Sequence, residues 1–114
     1  MLTSEESREL LAIARASLWQ AVREGSAAWV ELANVMPPMR EPGDSCMTLT
    51  KHGDLRGCIG TLQAHRPLAE DVAENAMASA LRDPRFPPVS PRELPDIKLE
   101  ISVLSAPLDF PVRD

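Results

Sequence analysis

Cys58 and Arg56 stand two residues apart in the heptapeptide LRGCIGT (55–61). A thiolate is a strong nucleophile and a thiol is not, and free cysteine ionises near pH 8.5, so catalysis by Cys58 needs a cation or a base beside it. Arg56, two positions earlier on an extended strand, falls on the same face and is the cation at hand. His52 lies about 20 Å along such a strand and is out of reach as a base. His65 stays open as the base, because the chain turns after Leu62. Against this stands the plainer reading of Cys58 as a buried structural thiol, the usual fate of cysteine. A second guanidinium, Arg85 in RDPRF (82–86), would make an anion clamp with Arg56 for a carboxylate or phosphate, since planar guanidinium groups bind such anions bidentately. The local alternative has Asp83 turning the chain before Pro84, Phe86 plugging the core, and the arginines neutralising a helix C-terminus.

Cys46, His52, Cys58 and His65 do not read as a metal site. Cys46 and His52 fall at opposite ends of one strand, and tetrahedral ligands must all lie about 2 Å from one ion. A Cys46–Cys58 disulfide is also disfavoured. The two are diagonal neighbours with Cβ atoms roughly 7 Å apart, beyond disulfide reach, so reduced thiols are expected.

These side chains need a hairpin to hold them. CMTLTK (46–51) and LRGCIGTL (55–62) are short strands separated by HGD. An odd, three-residue loop sets Lys51 opposite Leu55, Leu49 opposite Gly57 and Met47 opposite Ile59, which gathers the apolar residues on one face. Arg56 and Cys58 then share the other face with Cys46, Thr48 and Thr50. Gly57 on the apolar face admits a helix or Leu49 closely, and Gly60 on the thiol face leaves room for a ligand or another backbone.

Around the hairpin, Thr3 and Glu6 form a capping box for an amphipathic helix that ends at Gly25. Residues 27–32 are ambiguous between helix and strand, and MPPMREPGD (36–44) reads as an irregular loop. A second helix starts with Pro67 at its first position. It buries the stripe of Leu68, Val72, Ala76, Met77, Ala80 and Leu81 and turns Glu70, Asp71 and Glu74 to the other face. Ser90 and Glu93 form a second capping box for one turn. IKLEISV alternates as a half-buried strand. The class is α+β, an antiparallel sheet flanked by helices, in a single domain of 114 residues.

The net charge of −5 and only four aromatic residues argue against a nucleic-acid surface. Neither a secretory signal nor a membrane-spanning run is expected, and the expected location is cytoplasmic.

LRGCIGT, with DPRF after the next helix and EISVLS in the following strand, resembles the AMMECR domain family, whose prokaryotic members are called AmmeMemoRadiSam system protein A. The likeness runs in order from Thr48 to Pro107, with Leu55–Gly60 as its most specific signature. It implies an α+β fold and partnership with a Memo-type protein, similar to extradiol dioxygenases, and with a radical S-adenosylmethionine enzyme. It brings no established reaction or cofactor. Family domains are longer, so the chain is expected to represent part of one, with sheet edges through which copies could associate.

Two functions follow. In one, Cys58 and Arg56 are catalytic, Thr48, Gly57, Gly60 and Arg85 bind a small anionic substrate, and Thr50 adds a hydrogen bond. In the other, the same surface docks a protein partner without catalysis. Substitution of Cys58 by serine separates them, since it abolishes turnover but spares docking.

Overall fold

The computed structural model describes residues 2–104 and the backbone of 110–113; Ser105 and Pro107, at the end of the family-like stretch, lie outside the described residues. Helix α1 (Ser4–Glu24) opens on the expected capping box, Thr3 with Glu6, and closes on Gly25 in the left-handed conformation (φ 85°). Helix α2 (Leu68–Leu81) begins one residue later than the sequence suggests, with Pro67 as its N-cap. Four strands, β1 (Ser45–Lys51), β2 (Asp54–Gly60), β3 (Ile97–Val103) and β4 (Phe110–Arg113), form one antiparallel sheet in the order β2-β1-β3-β4.

Both helices cover one face of the sheet. Met47 and Leu49 of β1, with Leu99 and Ile101 of β3, point into a core completed by Leu10, Leu18 and Val72, all almost fully buried. Each such side chain contributes about 1.5–3 kcal/mol by leaving water. Alanines at 69, 73 and 76 keep α2 thin enough to lie near α1, where the Ser17 hydroxyl donates to the Ala73 carbonyl at 2.6 Å. Among the described residues no helix lies over the opposite face. Its residues Cys46, Thr48, Thr50, Cys58, Glu100 and Ser102 are half-buried, and Lys98 is exposed. No helix among the described residues is long and apolar enough to cross a membrane.

Two local expectations need correction, and one ambiguous stretch is assigned in part. MPPMREPGD is not wholly irregular, because Pro37–Arg40 forms a 3-10 turn in which proline's fixed φ suits the first helical positions. The ambiguous stretch ends in another such turn, Leu32–Asn34. Asp71 does not face solvent with Glu70. It is fully buried.

The hairpin itself reaches the expected core register by another route. The connecting turn has two residues, His52 and Gly53, both with positive φ (52° and 86°), the signature of a type I′ turn. Lys51 therefore faces Asp54, and Thr50 faces Leu55. An even turn alone would put Leu49 opposite Arg56, but the register shifts there, leaving Arg56 as an extra residue in a β-bulge. Leu49 then meets Gly57 and Met47 meets Ile59, as the apolar pattern requires. Leu55, expected on the apolar side, is 44% exposed instead.

Candidate functional site

The bulge separates Arg56 from Cys58. Arg56 turns to the side occupied by Lys51, and both meet Glu93 of the 3-10 turn Pro91–Asp96. Arg56 Nε and Nη2 donate to the two Glu93 carboxylate oxygens at 2.9 and 3.1 Å, and Nη1 and Nη2 reach the carbonyls of Pro87 and Pro88 at 2.9 and 3.3 Å. Those bonds, with help from the Ser90 amide and Lys51, hold the Glu93 carboxyl down at about 2. Arg56 is thus a clamp between the hairpin and the proline-rich segment, its charge already answered.

Arg85 is engaged elsewhere. Its Nε and Nη2 donate to Asp83 at 3.0 and 2.7 Å, Nη2 also reaches the Cys58 carbonyl at 3.3 Å, and the guanidinium lies 5.5 Å from the centre of the Phe86 ring. Asp83 in turn accepts the Cys58 amide at 2.9 Å. The Arg85 hydrogen bonds, then the Cys58 amide, hold its carboxyl well below the usual carboxylate range. The two arginines of the expected anion clamp therefore serve different carboxylates. DPRF caps the outer edge of β2, supplying a carboxylate to the Cys58 N–H and a guanidinium to its C=O, as an adjacent strand would with a carbonyl and an amide.

Cys58 and Thr48 are directly paired across the hairpin, with the hydroxyl 3.4 Å from the sulfur. Cys46, on the diagonal, is closer than strand spacing suggests. Its sulfur lies 3.7 Å from that of Cys58, and both thiols are free. Gly60 faces Cys46, and a Cβ there would sit 3.4 Å from the Cys46 sulfur. The side chain beside Gly60 is thus the Cys46 thiol. Burial, with the adjacent Cys58, pushes the Cys46 thiol up to about 11. Gly57 matches its expected role, since a Cβ there would collide with the Ser79 carbonyl of α2 and touch Leu49.

The two histidines have other partners. His52 lies in the turn, 3.7 Å from Asp96, and His65 is exposed with Nδ1 2.9 Å from the Gln63 carbonyl. Among the described residues no three His, Cys, Asp or Glu side chains are grouped to hold a metal ion.

A buried polar cluster escaped the sequence reading. Asp71 accepts from the Ser45 amide and hydroxyl, the Thr61 hydroxyl and Arg66 Nε, at 2.7–2.9 Å. Asn75 donates to the Ser45 carbonyl and the Thr61 hydroxyl at 3.0 and 2.9 Å. The cluster ties α2 to the start of β1 and the end of β2. Its signal was an Asp and an Asn four apart on an alanine-rich helix, which places both on one side.

The family model described as AMMECR1 matches residues 11–113. A protein of Methanothermobacter thermautotrophicus is 42% identical over 107 residues, covering 93% of this chain and 55% of its own length. One from Sulfolobus acidocaldarius is 37% identical, with 99% and 51% covered. The crystal structure of the uncharacterised protein PH0010 from Pyrococcus horikoshii superposes with a TM-score of 0.83 at 30% identity, covering 90% of this chain and 52% of that one. The chain spans about half the length of these relatives. With the match running almost from end to end of the sequence, and the fold shared, the chain belongs to the AMMECR1 family.

Proposed function

We propose that this domain is a non-catalytic interaction module that docks a protein partner on the helix-free face of its sheet. The observation that carries the reading is the fate of the signature residues. Arg56 is consumed by Glu93 and two carbonyls, Gly57 by the approach of α2, and the Cys58 peptide by Asp83 and Arg85. The motif is spent on bracing the hairpin, and what it leaves toward solvent is a half-buried polar surface centred on Thr48, Cys58 and Glu100. Such a mixed face suits a partner that reads shape and hydrogen bonds. The family resemblance points to a Memo-type protein as that partner, with a radical S-adenosylmethionine enzyme in the same system.

The test is titration calorimetry of the chain against a purified Memo-type protein from the same source. Saturable heat is expected, lost in Thr48→Arg and kept in Cys58→Ser. Absence of binding, or catalytic turnover by the isolated chain that Cys58→Ser abolishes, overturns the proposal.

One observation favours the second reading, a small anionic ligand. The Arg85 side chain is 56% exposed and reaches the Cys58 carbonyl, so it can offer a guanidinium to a carboxylate or phosphate lying over Thr48. In that case phosphate protects the chain against thermal unfolding, and Arg85→Gln removes the protection.

A further inference from the structure

We propose that Cys46 and Cys58 form a peroxide-oxidisable dithiol that closes into a reversible intramolecular disulfide across the β1–β2 hairpin. The proposal does not depend on the docking reading. It rests on the geometry of two strands: the sulfurs are 3.7 Å apart, both residues are only half-buried, and both lie on the face without helices. Bond formation needs the sulfurs to close to about 2.05 Å, with Cβ atoms about 3.5–4.5 Å apart.

Three features allow that movement. Gly60 opposite Cys46 presents no side chain against the thiol, so the sulfur is free to lean along the diagonal. Strand β2 is an edge strand, paired with β1 alone among the described strands; Asp83 and Arg85 hold the Cys58 peptide, while its side chain turns toward Cys46. The bulge at Arg56 strengthens the local twist, which shortens one diagonal across an antiparallel pair. A bridge drawn across a diagonal carries strain, and strained disulfides are the readily reduced ones.

The roles of the two sulfurs differ. Cys58 lies on the edge strand β2, whereas Cys46 lies on β1 between β2 and β3, so Cys58 is the residue that meets the oxidant. The Cys58 sulfur gives up its proton and attacks hydrogen peroxide; an S–O bond forms, the O–O bond breaks, and water leaves. The Cys46 sulfur then displaces the hydroxyl from the sulfenic acid, its proton departing with that hydroxyl as a second water. Two thiols lose one electron each, and peroxide accepts both.

The experiment is thiol counting and peptide mapping of the intact chain under hydrogen peroxide. Titratable thiols are expected to fall from two to none, with the mass lower by two hydrogens, and dithiothreitol should restore both. Lys51 and Arg56 lie between the cysteines, so a non-reduced tryptic digest should contain one Cys46 peptide joined to one Cys58 peptide. In Cys46→Ser, dimedone should trap Cys58 as the sulfenic acid. Survival of both thiols, oxidation to sulfinic acid without a bridge, or disulfides only between chains overturns the proposal. The wild-type count decides even where the variant does not fold.

Discussion

Arg56 shows how a residue chosen for catalysis can be spent on structure. Its type and its distance from Cys58 in sequence were legible, and both suggested an electrostatic helper for a thiolate. Its direction was not, because a single extra residue in one strand rotates the side chain to the other side of the sheet. Glu93 was legible too, but only as half of a capping box with Ser90. The box is present, and the same carboxylate also takes the Arg56 fork. A carboxylate has enough lone pairs for both duties. Arg56→Lys keeps the charge and loses the fork and the contacts to Pro87 and Pro88. It should lower stability by about 1.5–3 kcal/mol, as expected for hydrogen bonds to a charged group, measured by urea unfolding. A midpoint equal to wild type would show that the fork contributes nothing.

At the scale of elements, the hairpin joins a two-residue turn to a bulge, and either alone would put the wrong residues in the core. Alternation in β1 and β2 dictated that Met47 and Leu49 face the helices, and that outcome holds. The loop length inferred from the same alternation does not, since parity constrains the sum of turn and bulge and says nothing about each. The two glycines separate cleanly by what lies above them. In Gly57→Ala the new methyl collides with the backbone carbonyl of Ser79, whereas in Gly60→Ala it lies 3.3–3.4 Å from Cys46 Cβ and Sγ and the Ser45 carbonyl oxygen, tight but short of a collision. Gly57→Ala is therefore expected to cost about 1–3 kcal/mol, and Gly60→Ala distinctly less. Thermal unfolding of the pair checks the order, and a reversed order would show that α2 yields more readily than the sulfur.

For the molecule as a whole, the α+β class, both long helices and strand β3 follow from periodicity and caps. The proline-rich segment from Arg82 to Asp96 was readable only as a turn at Asp83 and a one-turn capping box, yet it carries the two carboxylates that bind the hairpin. Local patterns record turns and caps; they carry no record of contacts 25 or 37 residues distant, such as Cys58 with Asp83 and Arg56 with Glu93. These carboxylates also set the response to acid. Both are held below their unfolded values of 3.8 and 4.5, Glu93 at about 2 and Asp83 lower still. A depressed carboxyl contributes fully above its unfolded value and loses that contribution as pH falls toward the folded one. The urea midpoint should therefore be level above about pH 5 and decline from there toward pH 2. Glu93→Gln should lower the neutral midpoint and flatten the decline; an unchanged slope would place the acid sensitivity elsewhere. The ion pair that covers the flank of β2 has one more consequence. Extended segments of other chains add to a naked row of amides and carbonyls, the first step toward fibrils. At Cys58 such a segment would have to evict Asp83 and Arg85 together, so the flank is a poor template for growth until acid discharges the carboxylate.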